Sequence, residues 1–109
     1  VLTQIIGSNY SDRVVTDAGR KVMSEGFGPP LVRLNGGIME CEKVVLSEEH
    51  GTVLFKEGSE VRRQLRWGEK IEFIPSHCCT CINQHENLFV VRNRRLAAVW
   101  PIAARGKYY

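Results

Sequence analysis

Apolar residues in this chain come in short runs of about five to eight positions, separated by clusters of Gly, Pro, Asn and Asp. That rhythm is the strand-and-turn pattern of an all-β domain. It predicts strands over 1–6, 13–16, 38–46, 52–55, 70–74, 88–92 and 96–103. The intervening loops hold Gly7-Ser8-Asn9, Gly26-Phe27-Gly28-Pro29-Pro30, Asn35-Gly36-Gly37 and Asn93-Arg94. The last two have hairpin-turn chemistry, because Asn and Gly tolerate the positive φ that tight turns require. Two stretches read differently. Over 58–67, Val61, Leu65 and Arg62 either share one side of a short helix or belong to an irregular strand. Over 18–25 a short helical turn fits until the Pro pair stops it. With no βαβ alternation, the expected fold class is all-β, a compact antiparallel β-barrel or sandwich with short helical turns.

Composition sets the scale. At 109 residues the chain is one domain, 1–109, with 43% apolar and 25% charged residues, the balance of a globular protein rather than a disordered or fibrous one. The formal charge is only +3. Arg92-Asn93-Arg94-Arg95 is the one tight basic cluster, and no aromatic platform accompanies it. It reads as a solvated turn, so no nucleic-acid partner is expected. No apolar run approaches the roughly 18 residues of a spanning helix, and none reads as a signal peptide, so no membrane partner is expected and the compartment is cytoplasmic. The first residue is Val rather than Met and opens directly in a strand-like run, which points to a longer polypeptide.

One stretch carries chemistry. In Ile74-Pro75-Ser76-His77-Cys78-Cys79-Thr80-Cys81-Ile82-Asn83, three of the four cysteines and one of the three histidines fall within five positions. Imidazole and thiolate together suit zinc, whereas calcium and magnesium take oxygen. A structural zinc site needs a second ligand pair, for which only Cys78, Cys81, His85, His50 and Cys41 are candidates, and no convincing pair emerges. A zinc with open positions needs fewer protein ligands and suits a lone His-x-Cys better. Cys78 and Cys81 also spell Cys-x-x-Cys, a redox motif where it opens a helix in a βαβ unit, a context missing here. Small buried thiols beside a core histidine are a third reading, and spacing alone leaves all three open. Cys41, alone in Met39-Glu40-Cys41-Glu42, reads as a plain strand residue.

Four segments in order resemble the C-terminal β-domain of the D-serine dehydratase and D-threonine aldolase family, pyridoxal-phosphate enzymes of the alanine-racemase fold type: 13–21 (RVVTDAGRK), 47–51 (SEEHG), 68–83 (GEKIEFIPSHCCTCIN) and 99–106 (VWPIAARG). The resemblance implies that His77 and Cys79 are metal ligands and that zinc is the ion. It gives Cys78 and Cys81 no role. It makes Asp17-Ala18-Gly19 a structural turn, with Gly supplying unusual backbone geometry, and His50 a candidate catalytic residue that is as well suited to bracing its turn. It also implies a partner absent from this chain, an N-terminal β/α barrel of the same enzyme that binds pyridoxal phosphate through a lysine, and a homodimer of the full-length protein. The expected reaction is zinc-assisted dehydration of a D-3-hydroxy amino acid such as D-serine to a 2-oxo acid and ammonia. The alternative is retro-aldol cleavage of D-threonine type to glycine and an aldehyde. A non-catalytic β-module that binds zinc or a partner is the reading from another class. Without its barrel the domain is not expected to turn over substrate, and it should expose a surface the barrel covers.

Overall fold

Short strands with one apolar face must curl onto themselves to hide it, and these do. The computed structural model describes residues 1–107. The elements are β1 (Leu2–Gly7), β2 (Arg13–Thr16), β3 (Leu31–Leu34), β4 (Gly37–Ile38), β5 (Lys43–Leu46), β6 (Gly51–Leu54), α1 (Glu60–Gln64), β7 (Lys70–Ile74), α2 (Cys78–Ile82), β8 (Asn87–Arg92) and β9 (Arg95–Pro101). Seven strands form one antiparallel sheet in the order β4-β3-β7-β1-β2-β6-β5, and β8 with β9 makes a separate hairpin. The sheet curls into a half-barrel, so the all-β expectation holds.

Alternation decides which face is inside. Thr3 and Ile5 of β1, Val14 and Thr16 of β2, Val44 and Leu46 of β5, and Ile71 and Phe73 of β7 point inward, while their neighbours face out. Val32, Val53, Met23 and Leu65 complete a core from which water is excluded. Leu65 follows α1, whose Ser59 hydroxyl accepts from the Arg62 N–H at 3.3 Å. The ambiguous stretch is therefore helical over Glu60–Gln64, with Leu65 just past its end in extended conformation.

Arg62 is buried, and among the described residues no carboxylate pairs with it. Its Nε donates to the Arg13 carbonyl at 2.7 Å, Nη1 to that of Leu65 at 3.3 Å, and Nη2 to those of Ser8, at 2.6 Å, and Tyr10. The guanidinium thus ties the β1–β2 loop to α1, using a planar fork that satisfies several carbonyls at once.

Both predicted hairpins are present. Asn35 and Gly36 join β3 to β4 with φ of 50° and 86°, and Asn93 and Arg94 join β8 to β9 with φ of 49° and 62°. The basic cluster is thus an exposed turn. Three expectations need correction. The run 38–46 is not one strand: β4 and β5 lie at opposite edges of the sheet, and 39–42 cross between them. Met39 drops into the core there, and backbone bonds from Met39 N to Val32 O and from Glu42 N to Leu54 O, each 2.8 Å, pin the crossing at both ends. Cys41 consequently sits on the crossing, half-buried, rather than in a strand. Over 18–25 there is a hydrogen-bonded turn, Val22 N to Gly19 O at 3.2 Å, and no helix.

Candidate metal centre

Antiparallel pairing gathers the chemically interesting residues along one rim of the half-barrel. The end of β7, the start of β3, the end of β2 and the start of β6 all lie there. His77, the β2–β3 connection with Asp17 at its start and the Gly26–Pro30 loop at its end, and His50 therefore share a rim.

β7 stops at Ile74 because Pro75 has no N–H for the ladder. His77 then adopts an extended conformation (φ −142°, ψ 115°) as the N-cap of α2 but makes no side-chain capping bond. Its imidazole is stacked on Phe27, ring centroids 4.7 Å apart and planes 23° from parallel. Within α2 the helical turn of about 100° per residue puts Cys78 and Cys81 on neighbouring faces and Cys79 nearly opposite Cys81. Cys81 is accordingly buried, its Sγ 3.6 Å from the Val22 carbonyl oxygen, and burial pushes its thiol pKa up. A buried thiol held in its protonated form is a poor nucleophile, which weakens the redox reading of Cys78 and Cys81. Cys79 is exposed and unspent, as is Cys78.

His85 is committed elsewhere. Its Nε2 lies 2.7 Å from the Val22 carbonyl oxygen, so that nitrogen carries the proton and donates. His85 and Cys81 together anchor the stretch after β2 against α2. Among the described residues, no third His, Cys, Asp or Glu joins His77 and Cys79 in a metal-binding group. Cys79 is exposed and His77 makes no side-chain capping bond, and the two stand two residues apart just past the end of β7. Imidazole with thiolate fits zinc.

His50 closes the β5–β6 turn, exposed, with the Ser47 N–H donating to its carbonyl at 2.9 Å and its own N–H donating to the Ser47 hydroxyl at 3.3 Å. Three strand spacings, about 14 Å along the sheet, separate β6 from β7. The fold thus puts His50 on the same rim as His77 and Cys79 without joining it to them. On the neighbouring connection, the Asp17 carboxylate accepts from the Gln4 N–H at 2.8 Å and the Thr3 hydroxyl at 2.6 Å. Those two bonds, in that order, hold the Asp17 pKa below its ordinary value, with a smaller contribution from the His50 charge.

Gly19 is needed for space rather than for unusual dihedrals. A Cβ there would stand 2.4 Å from the Ser47 carbonyl oxygen and 2.5 Å from that of Glu48. The close approach lets the Arg20 N–H reach Ser47 O at 2.8 Å and the Lys21 N–H reach Glu48 O at 3.1 Å, which clamps the two rim segments together. Phe27 is the site residue that sequence reasoning missed. Its only signal was an aromatic between two glycines, in a loop with no apolar pattern to bury it.

Comparison with known proteins gives this geometry a family. The family model described as "Putative serine dehydratase domain" matches residues 1–91. The 3-hydroxy-D-aspartate aldolase of Paracoccus denitrificans is 34% identical over 109 residues, which is 100% of this chain and 26% of that protein. The solved D-threonine aldolase from Filomicrobium marinum superposes with a TM-score of 0.81 at 28% identity, covering 100% of this chain and 28% of its own. A D-threo-3-hydroxyaspartate dehydratase from Delftia sp. HT23 shares the fold, with a TM-score of 0.76 at 21% identity over 93% of this chain and 31% of its own. The chain spans about a quarter of the length of the aldolase relative it matches. With nearly the whole sheet inside the matched segment, this chain belongs to the serine dehydratase domain family.

Proposed function

We propose that this chain is the metal-carrying β-domain of a pyridoxal-phosphate-dependent lyase acting on D-3-hydroxy amino acids, with zinc held by His77 and Cys79. The observation that carries the reading is the unspent His-x-Cys pair on the rim, beside a Cys81 and a His85 that are both tied to the Val22 carbonyl. Zinc in that position supplies Lewis acidity toward the substrate's β-hydroxyl. The chain's own part is to present the two donors from a strand end and a helix start, and to leave the remaining coordination positions open. Pyridoxal phosphate belongs, in this reading, to the larger remainder of the protein, and no residue here is assigned to it.

Dehydration to a 2-oxo acid and ammonia is the reaction favoured by a thiolate at Cys79, since a soft donor selects zinc over harder ions. Aldol cleavage to glycine and an aldehyde is the second reading, supported by the aldolase name of the 34%-identical relative. His50 enters as a candidate catalytic residue on the same rim. The exposed apolar side chains of the outer sheet face and hairpin, among them Leu2, Leu31, Phe89 and Trp100, are proposed to be covered by the remainder of the enzyme and its dimer partner.

Product analysis tests the reading. The protein that carries this chain is incubated with D-serine, D-threonine and D-3-hydroxyaspartate, and 2-oxo acid, ammonia, glycine and aldehyde are quantified. A 2-oxo acid with equimolar ammonia supports dehydration, and glycine with an aldehyde replaces it by aldol cleavage. No product from any of them, with cofactor and zinc bound, leaves the non-catalytic module as the better account.

A further inference from the structure

The geometry points to Phe27 as the positioning residue of His77, the aromatic plate that sets the plane of the candidate metal ligand's ring. This inference rests on the metal reading above.

Strand register brings the two rings together. β3 and β7 pair with Leu31 opposite Ile74, Val32 opposite Phe73 and Arg33 opposite Glu72. That pairing sets the loop running into β3 beside the segment leaving β7, and there the Phe27 ring stacks on the His77 ring. The loop is built to hold the ring up. Gly26 N–H donates to the Ser24 hydroxyl at 3.0 Å, and Gly28 N–H donates to the Glu25 carbonyl at 3.1 Å. Gly28 has φ of +106°, a conformation that side chains with a Cβ resist, and it turns the chain so that Phe27 projects from the rim. Pro29 and Pro30 then fix φ on the way into β3.

Phe27 is 74% exposed, so it is no core residue. A bare phenyl group held on a two-glycine loop gains little from burial, and its defined contact is the His77 ring. A metal-binding imidazole is ordinarily oriented by a hydrogen bond from its second nitrogen to a carboxylate or carbonyl. His77 makes no capping hydrogen bond to α2. The stack takes over that orienting work, and with its outer face open the phenyl ring also walls one side of the site.

The test uses the natural full-length protein with Phe27→Ala, Phe27→Leu and Phe27→Tyr, beside His77→Ala as reference. Zinc affinity is measured by competition with a chromogenic chelator, and cobalt(II) replaces zinc so that its thiolate charge-transfer band reports the Cys79 bond, both without substrate. Loss of an aromatic pair of ordinary strength predicts about fivefold weaker zinc binding in Phe27→Ala and Phe27→Leu, with Phe27→Tyr within about twofold of the parent. Unchanged affinity in Phe27→Ala overturns the inference. So does recovery by Leu equal to that by Tyr, which would reduce Phe27 to bulk. If His77→Ala keeps its zinc at parental affinity, the metal reading itself falls. If His77→Ala loses zinc and Phe27→Ala does not, only the role of Phe27 falls.

Discussion

Gly19→Ala should be among the most damaging single-methyl changes available to this chain. The added Cβ would meet the Ser47 oxygen at 2.4 Å, the Glu48 oxygen at 2.5 Å and the Glu48 carbonyl carbon at 2.6 Å. All three are backbone atoms, so no flexible side chain can yield. Ordinary contact requires the two rim segments to part by about 1 Å. That separation breaks the bonds from Arg20 N to Ser47 O and from Lys21 N to Glu48 O, each worth about 1 kcal/mol net. Residual strain of about 1–3 kcal/mol adds to the loss, and the reduced freedom of the unfolded chain offsets about 0.4–1 kcal/mol. The net expectation is a cost of about 2–5 kcal/mol, a large fraction of a small domain's stability. Urea denaturation followed by far-ultraviolet circular dichroism measures it, with Gly37→Ala as control, because the nearest atom to a Cβ there is the Leu34 carbonyl oxygen at 3.8 Å. If Gly19→Ala costs no more than the control, the close-approach argument is wrong.

Arg62→Ala leaves the carbonyls of Ser8, Tyr10 and Arg13 without their shared donor, and a cost of about 3 kcal/mol is expected in the same assay. Arg62→Lys, with one ammonium in place of a fork, should recover less than half of it. Asp17 gives the fold an acid-sensitive element. Its folded pKa lies below the ordinary 3.8, so its stabilisation is complete above that value and is lost as pH falls through the lower, folded one. Melting curves from neutral pH down to about pH 3 should therefore show a shallower acid-side decline for Asp17→Asn than for the parent.

What was legible in the sequence was whatever local physics decides. Asn35-Gly36 and Asn93-Arg94 announced their hairpins because few residues accept positive φ, and the apolar run at 70–74 announced β7. Tertiary demands were not legible. The 38–46 run looks continuous, yet the chain must cross to the far edge of the sheet, and Met39 turns inward on the way. The four-residue strand β3 hid between two glycine-rich loops. α2, with five residues, spans too little of a helical period to show one. The site divides in the same way. His77 and Cys79 stand out as candidates through their ligand chemistry and the family resemblance. Phe27 does not, because only the β3–β7 register connects it to His77, across fifty residues of chain.

The central claim is that His77 and Cys79, and not the neighbouring thiols, hold the metal. Zinc content per chain, measured by plasma mass spectrometry on the natural protein and on His77→Ala, Cys79→Ala, Cys78→Ala and Cys81→Ala, tests it most directly. The account predicts near-stoichiometric zinc in the parent and in the Cys78 and Cys81 variants, and its loss from the His77 and Cys79 variants. Zinc retained in both His77→Ala and Cys79→Ala, or lost only when Cys78 or Cys81 is changed, would contradict it.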